Sequence, residues 1–220
     1  MTIEKARYWA ENMTELSQND RLWLNNPVVM QGVGLAPMVV AATSGYTALV
    51  LAAAVAVMLT PTRVGGAILR KALGEKYNRF AVLCYAFPAA LCYIAAYFLV
   101  RHLWGPSALQ QVGVYLPLLV FEPLIIRRYR AAVPEGPARA LRRGLYTTVG
   151  YLVVLLGVGL ARELLAQGSL MGVQLLDVQL FPLAAQPAGG FMLLGAVCAA
   201  WRGRVRAFKR NIYQEVERNK

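Results

Sequence analysis

Glu122, within YLPLLVFEPLIIRR (residues 115–128), is the one carboxylate set well inside an apolar run of this chain. An ionised carboxylate is costly in lipid, so such a residue is a functional candidate by default, either as a cation ligand or as a proton carrier. The competing reading places it near an interface and pairs it with Arg127 or Arg128. A second charged feature is the dipeptide Arg162–Glu163 in ARELLAQGSL (161–170), at the end of another apolar run. Adjacent residues on a helix do not face each other. Each therefore needs a partner elsewhere, unless both simply solvate a helix end.

Two glutamines complete the polar set, Gln31 in QGVGLAPMVV (31–40) and Gln111 in QVGVYLPLLV (111–120). They could line an ion or cofactor passage, or bond to backbone groups freed by helix breaks. Breaks are expected because Pro37 and Pro117 interrupt the two segments, and proline costs about 3 kcal/mol in a helix interior. Other chemistries are excluded by residue type. The single histidine, His102, falls at the outer edge of a predicted span, and there is no phosphate loop, H-E-x-x-H or dinucleotide fingerprint. Cys84, Cys92 and Cys198 form no C-x-x-C pair and read as small buried apolar residues.

The elements that hold these residues are built for lipid. Apolar residues make up 58% of 220 positions and mean hydropathy is +0.46. Residues 22–62 carry no charge, enough for two spans of about 20 residues. Further charge-free runs cover 80–100, 103–121, 144–161 and 178–201. The expectation is an all-α integral membrane protein with six transmembrane helices, near 27–43, 45–60, 80–100, 107–126, 144–163 and 187–202. Residues 1–24 form a leader of mixed charge, 25–205 the membrane domain and 206–220 a basic tail. The leader has no cleavable signal pattern. Its Trp9, Met13 and Leu16 suggest a short amphipathic helix on the membrane surface, and Asn25 and Asn26 would cap the first span. The segment GSLMGVQLLDVQLFPLAAQ (168–186) is apolar but too interrupted to cross.

The net charge of +12 is distributed by side. Arg63, Arg70 and Lys71 follow span two, Arg127, Arg128, Arg139, Arg142 and Arg143 follow span four, and Arg202, Arg204, Arg206 and Lys209 follow span six. The intervening loops are nearly free of basic residues, which is the positive-inside pattern and puts both termini in the cytoplasm. The charge orients the protein and can bind anionic headgroups. Nucleic acid is not the expected partner.

The two interrupted segments also align with each other. Gln31 matches Gln111, Pro37 matches Pro117 and Val40 matches Val120, with an offset of 80 residues throughout. Three spans per half make the second half enter from the opposite side. The expected arrangement is a 3+3 inverted repeat, about 25–104 and 105–205, with broken helices in spans one and four. Irregular backbone at that depth must be buried in protein or line a cavity.

Several pieces together resemble the six-span membrane subunits of the Rnf and Nqr electron-transport complexes, the RnfE/NqrD type in particular. NNPVVMQGVGLAP (25–37) is similar to the family's double Asn, Gln and Gly-Leu-Cys-Pro. YLPLLVFEPLIIRR looks like its Pro-Leu-Ile-Val-Thr-Asn-Cys segment, ARELLAQGSL like its Arg-Glu-Ile and following turn, and PAGGF (187–191) like the Pro-Pro-Gly-Ala-Phe that opens the last span. The resemblance implies a bacterial inner-membrane protein paired with an RnfA/NqrE-like sister. In the family, the two sisters share an iron–sulfur cluster at mid-membrane, each giving two cysteines, and electron flow is coupled to sodium or proton movement. Here the family's cysteine positions are Ala36 and Pro123. Neither can ligate iron, which needs thiolate or imidazole.

The resemblance thus implies a divergent family member, a scaffold and ion pathway without its own cluster ligands or metal. It would be at most a non-catalytic part of an NADH- or ferredoxin-linked oxidoreductase, with iron–sulfur and flavin groups in partner subunits. It makes Arg162 and Glu163 candidates for a contact between subunits or an outer ion entrance. Two other readings stay open: a vitamin or metal transport component, which six spans and a basic cytoplasmic face would also suit, and a non-redox assembly homologue.

Overall fold

The computed structural model describes residues 3–74, 81–122 and 136–218, most of them helical. Two short helices open the chain, α1 (Ile3–Glu11) and α2 (Met13–Asn19). Trp9 packs edge-on against Phe208 at 5.8 Å, and Lys209 Nζ donates to Ser17 Oγ at 3.1 Å. The leader's apolar face, expected to lie on lipid, therefore covers part of the last helix, α7 (Pro187–Arg218).

The central element is α3 (Gly45–Leu73), which packs against both α4 (Ala81–Val112) and α6 (Pro137–Gln167). A capping box starts α3: Ser44 Oγ accepts from the Thr47 N–H at 3.2 Å and Thr47 Oγ1 from the Ser44 N–H at 3.0 Å. Small residues bring the helices close. Gly66 lies against the Tyr85 ring and Gly159 against Ala48, where a Cβ would overlap its neighbour. The Thr60 and Thr148 hydroxyls bond across the α3–α6 seam at 2.8 Å. The core joins Leu51, Met58 and Leu59 of α3 to Tyr151 and Leu155 of α6 and to Val28, Val29, Met38 and Val39 of the first interrupted segment.

Among the described residues, three helices are long and apolar enough to cross a membrane: α3, residues Val82–Val112 of α4, and α6. The shortest has 29 residues, and at about 1.5 Å per residue it exceeds a hydrocarbon core of about 30 Å. They correspond to the expected spans two, three and five; α3 and α4 run past theirs by about a dozen residues at the C-terminal end, and α6 runs past its span at both ends. In α7 an apolar first half is followed by Arg202, Arg204, Arg206, Lys209 and Arg210. The basic tail is thus a continuation of that helix, as far as Arg218.

The segments expected as spans one and four are not continuous helices. Residues 27–31 form turns, Gly32 and Gly34 take φ of +64° and +77°, and a π-helical piece, Pro37–Ala41, follows. At the other site α4 runs through the expected loop with only a kink at Gly105 (φ +79°) and stops at Val112. Gly113 (φ +55°) then leads to α5 (Tyr115–Leu118) and a 3-10 turn, Leu119–Phe121.

The breaks fall at these left-handed glycines, a region that costs other L-residues about 1–2 kcal/mol. This corrects the expectation that the prolines create them. Pro37 is the first residue of its piece and Pro117 lies in the single turn of α5, where a missing N–H costs no hydrogen bond. Between α6 and α7 the chain forms a small hairpin, β1 (Ser169–Leu170) with β2 (Val173–Gln174), then a 3-10 turn, Pro182–Ala185.

Candidate functional site at the helix breaks

The turn before the first break is fixed by Asn26, which is fully buried. Its Oδ1 accepts from the N–H groups of Val28 and Val29 at 3.0 and 3.3 Å, and its Nδ2 donates to the Gly150 carbonyl of α6 at 2.7 Å. Gly150 has no room for a side chain there, because a Cβ would strike the Arg21 carbonyl. Arg202 Nε of α7 donates to the Val29 carbonyl at 2.6 Å. Gln31 turns back on the same turn, donating to Asn25 Oδ1 at 2.7 Å and to the Asn25 carbonyl at 3.2 Å. Of the two readings for this glutamine, the geometry is that of a side chain tying down local structure.

At Gly34 the two interrupted segments come near each other. The N–H of Gly34 faces the Glu122 carboxylate, at the end of the second interrupted segment. Its carbonyl accepts from the Tyr151 hydroxyl of α6 at 3.0 Å. The Tyr151 ring occupies the space where a Gly34 Cβ would be. Tyr151 is fully buried and Glu122 half-buried, close enough for the carboxylate charge to act on the phenol. Glu122 follows the last residue of the 3-10 turn in extended conformation, ψ 132°. Pro123, Arg127 and Arg128 lie outside the described residues, and with them the alternative ion pair.

Arg162 and Glu163 hold the two ends of the gap between the π-helical piece and α3. Both are buried, so neither solvates a helix end. Arg162 Nη1 donates to the carbonyls of Met38, Val39 and Ala42 at 3.1, 2.6 and 2.9 Å, the C-terminal end of the piece. Its Nε and Nη2 donate to Ala184, Ala185 and Gln186 at 2.9, 3.3 and 3.3 Å, the end of the 3-10 turn before α7. Glu163 Oε2 accepts from the Gly45 N–H at 2.7 Å, the first residue of α3. Its Oε1 accepts from Ser169 Oγ at 3.1 Å and the Gly172 N–H at 2.9 Å. A cation meets carbonyl ends and an anion meets an amide end, which is the complement of the helix dipole at each. The glycines of PAGGF make room: a Cβ on Gly190 would come within 2.9 Å of the Val39 carbonyl and 3.0 Å of the guanidinium carbon.

The donor set at the breaks is oxygen, from a carboxylate, a phenol and open backbone. Oxygen suits a proton or a hard cation, whereas iron–sulfur clusters take thiolates. Ala36 is exposed at the edge of the π-helical piece, two residues from Gly34, and Pro123 follows Glu122 directly. A methyl group and a pyrrolidine ring offer no donor atom, so these positions do not fit a cluster. Cys84 is buried in α4, and Cys92 and Cys198 are half-buried on α4 and α7. Gln111 and His102 are exposed.

Sequence reasoning passed over Tyr151, Gly34 and the far partner of Asn26. A buried tyrosine needs a partner for its hydroxyl, so TTVGYL within an apolar run was a usable signal. Which glycine would stack on it was not.

Comparison with known proteins adds an independent line. The family model described as "Rnf-Nqr subunit, membrane protein" matches residues 16–198. The E-type component of the ion-translocating oxidoreductase complex of Pseudomonas paraeruginosa (strain DSM 24068 / PA7) is 33% identical over 200 residues, covering 82% of this chain and 80% of that protein. Its counterpart in Pseudomonas aeruginosa (strain UCBPP-PA14) is 31% identical over 209 residues, 86% and 84% of the two chains. That of Buchnera aphidicola subsp. Acyrthosiphon pisum (strain APS) is 25% identical over 219 residues, 90% and 93%.

Proposed function

The chain belongs to the Rnf-Nqr subunit family of membrane proteins, and on that premise we propose that it is an E-type membrane component of a bacterial ion-translocating oxidoreductase complex, serving as scaffold and ion pathway. The observation that carries this is the approach of the two interrupted segments at Gly34. One interrupted segment presents a backbone amide there and the other presents Glu122. Bringing two broken helices together around a carboxylate is what an ion path through a bundle requires.

In this reading the chain crosses the inner membrane six times as two inverted halves of three, with both termini cytoplasmic. Gly32, Gly34 and Gly113 form the two breaks, Gln31 ties down the turn before the first, and Arg162–Glu163 fixes its outer end. An RnfA/NqrE-like sister covers the exposed side of the breaks. Electrons pass through iron–sulfur and flavin groups in partner subunits, since Ala36 and Pro123 supply no ligand.

Glu122 binds or passes the coupling cation or proton. Glu122→Gln should abolish most coupled ion movement in vesicles holding the intact complex, while electron transfer and assembly persist. Unchanged pumping with normal assembly would remove Glu122 from the pathway. Iron analysis and electron paramagnetic resonance of the purified complex test the redox part. A cluster signal lost on substituting a cysteine of this chain would overturn it.

A further inference from the structure

At the end of α6 opposite Arg162, a cleft of about 440 Å³ is lined by Arg139, Arg142, Arg143 and Tyr146, with Leu16, Asp20 and Leu22 of the leader. The three arginines fall at i, i+3 and i+4, hence on one face of the first turns of α6. Asp20 is engaged by the backbone: Oδ1 accepts from the N–H groups of Leu22 and Trp23 at 2.9 and 3.0 Å, and Oδ2 from Leu24 at 3.3 Å. Arg139 and Arg142 alone outnumber that one engaged carboxylate and leave the cleft cationic. The N-terminal end of the helix dipole adds to that field.

The cleft is also amphipathic. Leu16, Leu22 and Tyr146 give it an apolar flank. The same helix passes directly from Arg143 into the charge-free run 144–161. A cationic pocket at the point where a membrane helix leaves lipid matches a ligand with a phosphate at one end and hydrocarbon at the other.

We propose that this cleft binds the phosphate of an anionic phospholipid, with the headgroup between Arg139 and Arg142 and an acyl chain along Leu16, Leu22 and Tyr146. Guanidinium groups receive free phosphate by the same paired hydrogen bonds, but free phosphate gains nothing from the apolar flank. The site shares no residue with the Gly34 contact, so either assignment can fail without the other.

The test is native mass spectrometry of the intact complex, delipidated in detergent and titrated separately with phosphatidylglycerol, phosphatidylcholine and inorganic phosphate. The wild type should bind one more phosphatidylglycerol tightly than R139Q/R142Q does, and affinity should fall about fivefold for each guanidinium removed. R139K/R142K, which keeps the charge but not the forked donors, should retain part of it. Equal phosphatidylglycerol binding by wild type and R139Q/R142Q overturns the proposal. If R139Q/R142Q fails to assemble, the wild type alone still decides. Phosphatidylcholine binding as tightly as phosphatidylglycerol, or inorganic phosphate displacing the lipid at equal concentration, refutes it.

Discussion

The two helix breaks share a sequence pattern and differ in how they are held. At the first, side chains from the second half of the chain satisfy the interrupted backbone: Tyr151 bonds to Gly34, Arg162 gathers carbonyls and Glu163 takes the amide of Gly45, while Asn26 reaches across to Gly150. Around the second, Val114, Leu118 and Phe121 are exposed, at 68%, 48% and 72%. One break is closed within the chain and the other presents an apolar face. Glu122 belongs to the open break and reaches the closed one, so the rigid partner positions the carboxylate's amide contact. A rigid scaffold that carries a less constrained functional residue is a common division of labour in proteins.

If that contrast is right, Arg162→Ala should be the most damaging single substitution among these residues. It would leave six carbonyls without their donor, four of them in buried bonds and two in part-buried ones. At about 1–3 kcal/mol for each acceptor that finds no water, a loss of about 4 kcal/mol or more follows. The measurable outcome is little folded protein in the membrane fraction. Arg162→Lys should recover only part, because one ammonium cannot reach both helix ends as a planar guanidinium does. Normal yield and thermal stability of Arg162→Ala would show that the first break does not depend on this clamp.

Paired glycine substitutions compare the breaks directly. Gly34 and Gly113 both have positive φ, +77° and +55°, so alanine at either costs about 1 kcal/mol or slightly more in backbone strain. At Gly113 nothing else opposes it, since the nearest atom to a new Cβ is 3.6 Å away. At Gly34 the Cβ would overlap the Tyr151 ring, and overpacking adds about 1–3 kcal/mol. Thermal melting in detergent should therefore rank Gly34→Ala well below Gly113→Ala. Equal effects would mean that the Tyr151 contact contributes little.

Much of this organisation was legible in the sequence, and the reasons are physical. Apolar run length fixes where a chain can cross lipid: α3 and α4 start within a residue of their expected spans, and α6 contains its own. The shared Gln-x5-Pro spacing located both breaks to within a few residues. It misassigned their cause, because proline is conspicuous while a left-handed glycine is one of several in VVMQGVGLAP. Spacing also implied separate partners for Arg162 and Glu163, since helix neighbours diverge, but not which partners. Those are main-chain atoms more than 100 residues away, Val39, Ala42 and Gly45 among them, and backbone groups leave no signature in residue identity. Tyr151 was missed for the converse reason: its side chain is conspicuous, but within an apolar run it reads as core.

The acidic half of the clamp should matter less than the basic half. Glu163→Gln preserves shape and can still accept from Gly45 through its carbonyl, but loses the charge that faces the start of α3. Hydrogen bonds to an ionised acceptor are about twice as strong as neutral ones, so a cost of about 1–2 kcal/mol is expected, with Ser169 and Gly172 held more loosely. Hydrogen exchange should rise in the hairpin around Gly172 before it rises in the helices. Uniform protection of that hairpin in Glu163→Gln would assign its order to backbone pairing instead.

Tyr151→Phe is the smallest and most discriminating change. It removes one oxygen and keeps the ring that fills the space beside Gly34. The lost bond to the Gly34 carbonyl should cost about 1 kcal/mol in stability, or somewhat more if that carbonyl finds no water. The functional effect can exceed the structural one, because the same peptide segment carries the amide that faces Glu122. If the hydroxyl only packs, Tyr151→Phe should pump ions at the wild-type rate after correction for protein level. If it orients Gly34 for the carboxylate, coupled ion movement should fall several-fold at nearly unchanged melting temperature, and Gly113→Ala, with a comparable stability cost, should not reproduce that loss.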